Sequence, residues 1–594
     1  MRSANGPAPH PHSQPAPARV RFHSPIFASA VLLAGNCLCG QESFAQNLSF
    51  AQNPEAENQS NVVRGTVVNA ITHEPIGRAL VYSPDNRYAM FTDGEGHFEF
   101  TLPKAADENG GVGFSGGVVG HFTSREQFMA RKPGFLEGQN GGSAVEASPG
   151  SEITVPLIPE ALIKGRVSLP AADPVRGINV GLYFRQVQDG SLRWMLKNSA
   201  RTNSNGDFRF AELDPGTYKV FTGEWMDNDP ETTIPGGQLY GFPPVYYPGA
   251  SNFAGASPIQ LAAGQIFQAD ISLVRQPYYP VRIPVVNAGL NRGLNISVSL
   301  QGQRGPGYSL GYNWAKGAIE GSLPNGKYLV EASSFGQNSM NGSVNLTVAG
   351  APAEGSSMVL ARNNSISVNV KEEFTSTDWH STGSMTTGGR TFAIPKLRLD
   401  LDLRVETAED DLAQHRGGGQ LRPPAGPNDD SMVLEDLAPG RYWLRPHANR
   451  GYVASATMGG TDLLREPLVV VPGASTPIDI TLRDDSAELE GTLLGVPTTV
   501  AAPGRSSPPG FIYCIPLPDN PGQFLEISAS PDGKFDYQMV TPGVYHVIAF
   551  SSQQRDLPYR DAEAMKAYEA KGQMVHFAPG QKVTLQLQIT QGSE

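Results

Sequence analysis

The sequence predicts an all-β chain that forms a tandem array of about five β-sandwich domains. Short runs of alternating apolar and polar residues recur along it, as in half-buried strands. Gly and Pro (66 and 49 of 594 residues) separate these runs, while helical periodicity is almost absent. The same strand–turn–strand unit also returns at domain-sized intervals, which indicates repeated sandwiches rather than a solenoid.

That unit is clearest around Pro215-Gly216, where Phe208 and Phe210 alternate before the turn and Tyr218 and Val220 after it. It recurs before Tyr328, Tyr442 and Tyr545, so that successive tyrosines lie 110, 114 and 103 residues apart. Proline followed by glycine predicts a type II turn, with the glycine at positive φ. The tyrosines are predicted to be structural, each bonding its hydroxyl to the backbone near the turn, as in a tyrosine corner.

These repeats predict modules 1 to 5 at 61–158, 159–274, 275–361, 362–485 and 486–594. A signal peptide at 1–45 and a flexible leader at 46–60 are predicted to precede them. Two low-complexity loops are expected in module 4, at 381–390 and 416–430. The best helix candidate is Asp561–Lys571 in module 5, with acids at its start and Gly572 at its end.

The N-terminus is typical of an export signal. Arg19 and Arg21 precede an apolar run, and Ala45 fits a small-residue cleavage site before Gln46. A buried N-terminal helix is the alternative. Cleavage would remove Cys37 and Cys39, either of which could instead carry a lipid, and would leave a chain without an internal disulfide. We expect an exported protein in the periplasm, the outer envelope or the medium.

The net charge and the apolar content limit which classes of partner the chain is expected to bind. The net charge of −12 argues against nucleic acid, which selects basic surfaces. No run of about 20 apolar residues exists, so no transmembrane helix is predicted in the mature chain.

Module 1 carries Val63-Arg64-Gly65-Thr66-Val67 and then Thr92-Asp93-Gly94-Glu95-Gly96-His97-Phe98. These motifs resemble the carboxypeptidase regulatory-like domain, a small immunoglobulin/transthyretin-like β-sandwich. Modules 2 and 5 repeat the opening glycine, the Gly-x-Phe turn and Pro-Gly-x-Tyr, whereas modules 3 and 4 keep mainly Gly-x-Tyr. The whole chain resembles bacterial exported proteins built from such domains. In that family the domains accompany catalytic domains, surface receptors or glycan-binding assemblies, so the resemblance implies a fold and names no active residue.

No catalytic residue, cofactor or metal site is predicted. No histidine of the mature chain has Glu three residues later, as a zinc carboxypeptidase would need. Gly-x-Ser-x-Gly occurs at 113–117 and 307–311, but neither copy leads into a helical pattern, so both are interpreted as loops. Asp93-x-Glu95 and Asn203-x-Asn205-x-Asp207 are interpreted as hairpin turns, with a weak calcium site as the alternative.

The candidate ligand contact is an aromatic cluster inserted in module 2: Trp225, Tyr240, Phe242, Tyr246 and Tyr247. Aromatic faces stack on sugar rings and line peptide grooves, and nearby prolines would stiffen the loop. The alternative is that these rings cap the open end of their own sandwich. We therefore expect a non-enzymatic protein that binds or scaffolds at the bacterial cell envelope, with polysaccharide or protein as partner. A purely structural spacer array, or an accessory subunit of an envelope hydrolase, is the alternative.

Overall fold

The computed structural model describes residues 61–590 except 103–125, 138–143, 170–175, 228–236, 288–292, 301–306, 335–338, 377–382, 388–389, 409–418, 427, 496–507 and 555. Strands dominate these residues and form sandwiched sheets, which confirms the all-β tandem sandwich fold. The predicted signal peptide and leader lie outside the described residues.

The first two modules contain the strands from β1 to β18. Module 1 has β1 (Val62–Asn69), β2 (Leu80–Tyr82), β3 (Ala89–Phe91), β4 (His97–Thr101), β5 (Glu126–Arg131), β6 (Val145–Ala147) and β7 (Glu152–Leu157). Module 2 has β8 (Ala161–Ser168), β9 (Asn179–Gln188), β10 (Ser191–Arg201), β11 (Asp207–Leu213), β12 (Gly216–Thr222), β13 (Trp225–Met226), β14 (Leu239–Phe242), β15 (Val245–Tyr246), β16 (Ile259–Leu261), β17 (Ile266–Gln268) and β18 (Ile271–Ser272).

Modules 3 and 4 follow with β19 to β38 and one short helix. Module 3 has β19 (Gln276–Val286), β20 (Leu294–Leu300), β21 (Leu310–Asn313), β22 (Ala318–Pro324), β23 (Gly326–Ser334), β24 (Met340–Val348), β25 (Ala353–Glu354), β26 (Met358–Val359) and β27 (Ala361–Arg362). Module 4 has β28 (Asn364–Glu373), β29 (Ser384–Thr387), β30 (Arg390–Ala393), α1 (Lys396–Asp400), β31 (Leu401–Thr407), β32 (Gln420–Leu421), β33 (Met432–Leu437), β34 (Gly440–Ala448), β35 (Tyr452–Met458), β36 (Thr461–Asp462), β37 (Leu468–Val470) and β38 (Ile478–Arg483).

Module 5 follows module 4 and contains the second short helix. It has β39 (Ala487–Leu494), β40 (Phe511–Leu517), a 3-10 turn (Pro521–Gln523), β41 (Leu525–Ser528), β42 (Lys534–Val540), β43 (Gly543–Phe550), α2 (Ala562–Met565), a second 3-10 turn (Lys566–Tyr568), β44 (Gln573–Phe577) and β45 (Lys582–Thr590). The predicted helix at 561–571 is therefore present but shorter. The Asp561 side chain caps it by accepting the N–H groups of Glu563 and Ala564, both at 3.1 Å.

Every module uses the same arrangement around its opening strand. β1, β8, β19, β28 and β39 each pair antiparallel with one strand (β4, β11, β22, β33 and β42). On the other side each pairs in parallel with the closing strands of the same module (β7, β17 and β18, β25 and β26, β38, β45). Each module also has its own cluster of buried apolar side chains.

The opening glycine of a module and the phenylalanine of its Gly-x-Phe turn contact each other across two paired strands. Gly65, Gly165 and Gly491 lie directly opposite Phe98, Phe208 and Phe535 on the antiparallel partner. A Cβ on any of the three glycines would lie 2.3–2.7 Å from that phenylalanine ring, well inside van der Waals contact. The glycine therefore makes room for a ring that fills the core, and this explains why the two motifs occur together in modules 1, 2 and 5.

The recurrent tyrosines are structural, as predicted. Tyr218, Tyr328, Tyr442 and Tyr545 are at most 3% exposed. Each hydroxyl donates to the backbone carbonyl four residues earlier, at 2.7–2.8 Å. Burial raises the pKa of Tyr218, and the nearby Asp214 carboxylate raises it further. The hydroxyl therefore remains a donor at neutral pH, and it fastens the strand to the preceding turn.

The predicted type II turn is wrong. Gly216 has φ of +155°, far from the roughly +80° that a type II turn requires at this position. The left-handed residues near these turns are Glu212 (φ +54°) and Asp436 (φ +66°), six positions before Tyr218 and Tyr442. Both lie where the register against the opening strand shifts, so a β-bulge redirects the chain. The glycine is needed for close packing instead, because a Cβ on Gly216 would lie 2.6 Å from the Phe184 ring.

Module 4 also departs from expectation. The stretch 381–390 was predicted to be a low-complexity loop, but it contains β29, which pairs with β30 as a separate two-stranded hairpin. Thr386 and Thr391 lie opposite each other in this hairpin with their Oγ1 atoms 2.7 Å apart, and this cross-strand pair supports strand pairing despite the nearby glycines.

Candidate functional site: the aromatic insertion of module 2

The aromatic insertion (residues 223–258) leaves module 2 after β12 and returns at β16. Its strand β15 pairs with β12, with Phe221 opposite Tyr246. Its strands β13 and β14 pair with each other, and β14 then pairs antiparallel with β19, the opening strand of module 3. The insertion is therefore part of two modules, because two of its strands extend the sheet of the next one.

Two of the five predicted aromatic residues stack on the inner side of the insertion. The rings of Trp225 and Phe242 lie 5.2 Å apart and nearly parallel, at 22°. Phe242 is 3% exposed and belongs to the module 2 core, whereas Trp225 is half-buried against it. Tyr247 is also half-buried and meets Phe267 edge-on at 5.9 Å. These rings extend the core of module 2 toward module 3.

Tyr246 lies on the opposite face of the module 2 sheet, in a second small core with Tyr183, Trp194, Phe221 and Phe253. This core encloses the buried Lys219, whose Nζ donates to the Phe253 carbonyl at 2.9 Å. The ammonium group lies 4.2 Å from the Phe253 ring centroid and 5.0 Å from that of Trp194. Cation–π attraction offsets part of the cost of burying this charge. Tyr246 is only 2% exposed, so it serves as a core residue.

Tyr240 lies at the joint between modules 2 and 3. The guanidinium of Arg275 covers its ring at 4.0 Å. Arg275 Nε also donates to Asp227 Oδ2 at 2.7 Å, so the arginine is held on both sides. Asp227 and Tyr240 belong to the insertion and Arg275 precedes β19, which means that this contact fixes the insertion at the start of module 3.

A half-buried carboxylate also contacts module 3 at this boundary. Glu224 Oε2 accepts the backbone N–H of Ser309 in module 3 at 2.8 Å. Burial raises the pKa of Glu224, and the Ser309 N–H opposes that rise. Burial and then the Glu224 carboxylate raise the pKa of Tyr278. Tyr308 packs edge-on against Tyr328 at 5.2 Å, which connects the joint to the module 3 core.

The structure therefore brings all five predicted residues into one insertion, with Phe242 and Tyr246 buried and Trp225, Tyr240 and Tyr247 half-buried. Ligand contact through these five residues stays a prediction. The burial of Phe242 and Tyr246 is what the alternative requires, in which the rings cap the open end of their own sandwich. Sequence reasoning missed Glu224, Arg275, Tyr278 and Tyr308. Their roles depend on strand pairing across the module boundary, for which no local motif gives a signal.

The other motifs considered as possible sites are the two serine motifs and the turns with oxygen ligands. The serine motif at 307–311 leads into β21 rather than a helix, and Ser309 uses its backbone N–H at the joint. The copy at 113–117 lies outside the described residues. Asn203 Oδ1 accepts two backbone N–H groups of its own turn, at 2.9 Å each. Among the described residues, no three His, Cys, Asp or Glu side chains group to hold a metal ion. No described helix is long and apolar enough to cross a membrane.

No protein-family model and no curated protein matches the chain. Among solved structures it is similar to the TIE protein of Bacillus anthracis (11% identity, 50% of this chain and 51% of that one, TM-score 0.16). It is also similar to a minor pilin of Streptococcus agalactiae (12%, 36% and 95%, TM-score 0.18) and a streptococcal ancillary pilin (10%, 50% and 98%, TM-score 0.17). The chain thus spans about half of the first of these. TM-scores this low carry no argument about what the chain does.

Proposed function

We propose that this protein is a non-enzymatic, exported scaffold of the bacterial cell envelope. Specific contacts at the module boundaries hold neighbouring modules in fixed relative orientations. One observation carries the proposal: β14 of module 2 is a strand of the module 3 sheet. A flexible linker would leave neighbouring modules free to reorient, whereas a shared sheet ties them through backbone hydrogen bonds. The basic and apolar pattern before Ala45 supports the exported location.

Other module boundaries support the same role. Between modules 3 and 4, the Asp436 carboxylate accepts Ser339 N–H at 3.1 Å and Asn363 Nδ2 at 3.0 Å. Between modules 4 and 5, Arg560 packs over the Trp443 ring at 4.9 Å and donates to Asp519 at 2.9 Å. The boundary between modules 3 and 4 is therefore joined by hydrogen bonds of polar side chains, as expected of a scaffold that sets distances. The boundary between modules 4 and 5 is joined by the contact of Arg560 with Trp443, whereas Asp519 belongs to module 5 and holds the arginine in place.

A distance measurement tests this proposal. Spin labels at the exposed positions Arg209→Cys and Asn345→Cys would report the separation of modules 2 and 3 in a chain that begins at Gln46. Such a chain lacks Cys37 and Cys39, and its remaining native cysteine, Cys514, is buried. We expect one narrow distance distribution by double electron–electron resonance. Gly241→Val should broaden it, because a Cβ there would lie 2.9 Å from the Tyr278 ring.

Gly249→Val is the matched control, since a Cβ on Gly249 meets nothing within 4 Å, and it should leave the distribution narrow. A broad distribution in the unmodified chain would contradict the scaffold proposal and favour freely jointed modules.

Contact with envelope polysaccharide is a second candidate. It is favoured by the part of the Trp225, Tyr240 and Tyr247 rings that stays accessible. Retention of the full chain on insoluble envelope polysaccharide should then fall in Tyr240→Ala and Tyr247→Ala, measured at a temperature at which circular dichroism shows that both variants are folded. Tyr246→Ala is unsuitable, because loss of a buried ring would unfold the second core. Equal retention of both variants and the unmodified chain would exclude these rings as the contact.

A further inference from the structure

Modules 2, 4 and 5 meet at a segment of module 5 that lies between β43 and β44. We call residues 556–572 the docking segment; it contains α2 and the second 3-10 turn. Its inner side packs on the β40–β43 pair, where Leu557 is 5% exposed and Tyr568 meets Phe550 edge-on at 5.7 Å. The docking segment is therefore part of the module 5 fold and moves with it.

The docking segment contacts the tip of the β9–β10 hairpin of module 2. Asp189 (φ +47°) and Gly190 (φ +71°) form the two-residue turn at this tip, with the positive φ values of a type I′ turn. The Arg560 N–H donates to the Gly190 carbonyl oxygen at 2.9 Å. The Tyr559 ring lies so close that a Cβ on Gly190 would be 2.3 Å from it. Phe524 of module 5 stacks on this ring at 3.9 Å and holds it in place.

The docking segment also contacts module 4. The Arg560 guanidinium lies 4.9 Å from the centroid of the Trp443 ring, and its Nε donates to Asp519 of module 5 at 2.9 Å. The Arg560 side chain is only 6% exposed. Two consecutive residues, Tyr559 and Arg560, therefore dock module 5 on module 2 and on module 4, so the two contacts are coupled.

The contact with module 2 is small compared with the boundary between modules 2 and 3, where β14 and β19 share a sheet. Beside the hairpin tip lies a cleft of about 740 Å³, lined by Asp556 of the docking segment and by Pro215 and Thr217 of module 2. Interfaces between domains of one chain allow relative motion unless they are large and apolar. Because modules 3 and 4 lie between modules 2 and 5 in the chain, tension between the chain ends would pass through this small contact.

We propose that the docking segment is a releasable contact that gives the scaffold two lengths. In the docked state module 5 is held against modules 2 and 4. Tension separates Tyr559 from Gly190 and Arg560 from Trp443, and module 5 then moves away while every sandwich stays folded. The proposal goes beyond the scaffold role, which concerns neighbouring modules and does not require modules 2 and 5 to meet.

Magnetic tweezers that hold the two ends of a chain beginning at Gln46 test this proposal. We expect a reversible lengthening of roughly 30–40 Å, about the diameter of one module, at a lower force than any unfolding step. Unfolding of a module would instead release roughly 300–400 Å of chain, so the two events are easily distinguished.

Gly190→Val should abolish this early step, because the added side chain meets the Tyr559 ring and keeps the docking segment away from the hairpin tip. Gly177→Val is the matched control. Gly177 is also a module 2 glycine at positive φ (+80°), but a Cβ there meets nothing within 4 Å. The control should keep the early step at the force of the unmodified chain. By small-angle X-ray scattering, Gly190→Val should have a larger radius of gyration than Gly177→Val.

Tyr559→Ala removes the same contact from the module 5 side, so a folding fault confined to the β9–β10 hairpin could not explain loss of the early step in both variants. Hydrogen exchange should be faster at the Arg560 N–H, which loses its acceptor, while the strands of both modules stay protected. An unmodified chain without an early step, or an early step that persists in Gly190→Val or in Tyr559→Ala, would overturn the proposal. The distance between modules 2 and 3 should be the same in Gly190→Val as in the unmodified chain, so loss of docking and failure of the scaffold proposal give different results.

Discussion

Gly165→Ala is expected to destabilise module 2 severely. A Cβ at this position would lie 2.1 Å from the Ala269 carbonyl oxygen and 2.7 Å from the Phe208 ring, so it meets backbone on one side and a core ring on the other. Ala269 leads into a closing strand that pairs in parallel with β8. The closing strand cannot move away without breaking its hydrogen bonds to β8. We therefore expect the free energy of unfolding to fall by at least the roughly 1–3 kcal/mol that is typical of overpacked cores.

Denaturant unfolding of the full chain, followed by hydrogen exchange in module 2, measures this loss. Gly223→Ala in the same module is the control, because its nearest neighbour would be 3.6 Å away, an ordinary contact. Gly65→Ala and Gly491→Ala should repeat the effect in modules 1 and 5. A Gly165→Ala chain as stable as Gly223→Ala would mean that the pairing of glycine with phenylalanine is not what selects the motif.

Tyr218→Ala should also have a large effect. The side chain is fully buried in the module 2 core and packs on Phe184 at 4.9 Å, and its hydroxyl bonds to the Asp214 carbonyl at 2.7 Å. Truncation leaves a cavity of ring size, which costs roughly 3–5 kcal/mol.

Tyr218→Phe separates the two contributions. It keeps the ring and removes only the hydrogen bond, so the expected loss is about 1 kcal/mol. Equilibrium unfolding of both variants gives the comparison, and Tyr328→Ala should show a matching loss in module 3, where the same bond measures 2.8 Å. Equal stability of the Tyr218→Ala and unmodified chains would contradict a structural role for this residue.

Much of the fold could be predicted from local pattern. Alternation around Phe208 and Phe210 gave the strands, because side chains in a strand point to opposite faces in turn. The spacing of the tyrosines gave the repeat. Turn geometry could not be predicted, because the bulge at Glu212 arises from the register of β11 against β8, which depends on residues about fifty positions away. The proline–glycine pair indicated a turn correctly but its type wrongly.

The candidate site was harder to predict for the same reason. The five aromatic residues stand out in sequence, but which of them are buried depends on where β14 and β15 pair. Glu224 and Arg275 carry no motif, and they gain their partners only when modules 2 and 3 meet. Composition can identify an unusual insertion, but contacts between modules follow from tertiary structure.

The parallel pairing of first and last strands has a mechanical consequence. In module 5, β39 and β45 lie in parallel register from Glu488 opposite Lys582 to Leu494 opposite Gln588. The chain therefore enters at one end of this strand pair and leaves at the other. Tension along the chain would slide the two strands past each other, so that their hydrogen bonds share the load and yield together. Because all five modules are built this way, the chain is arranged to bear force along its length.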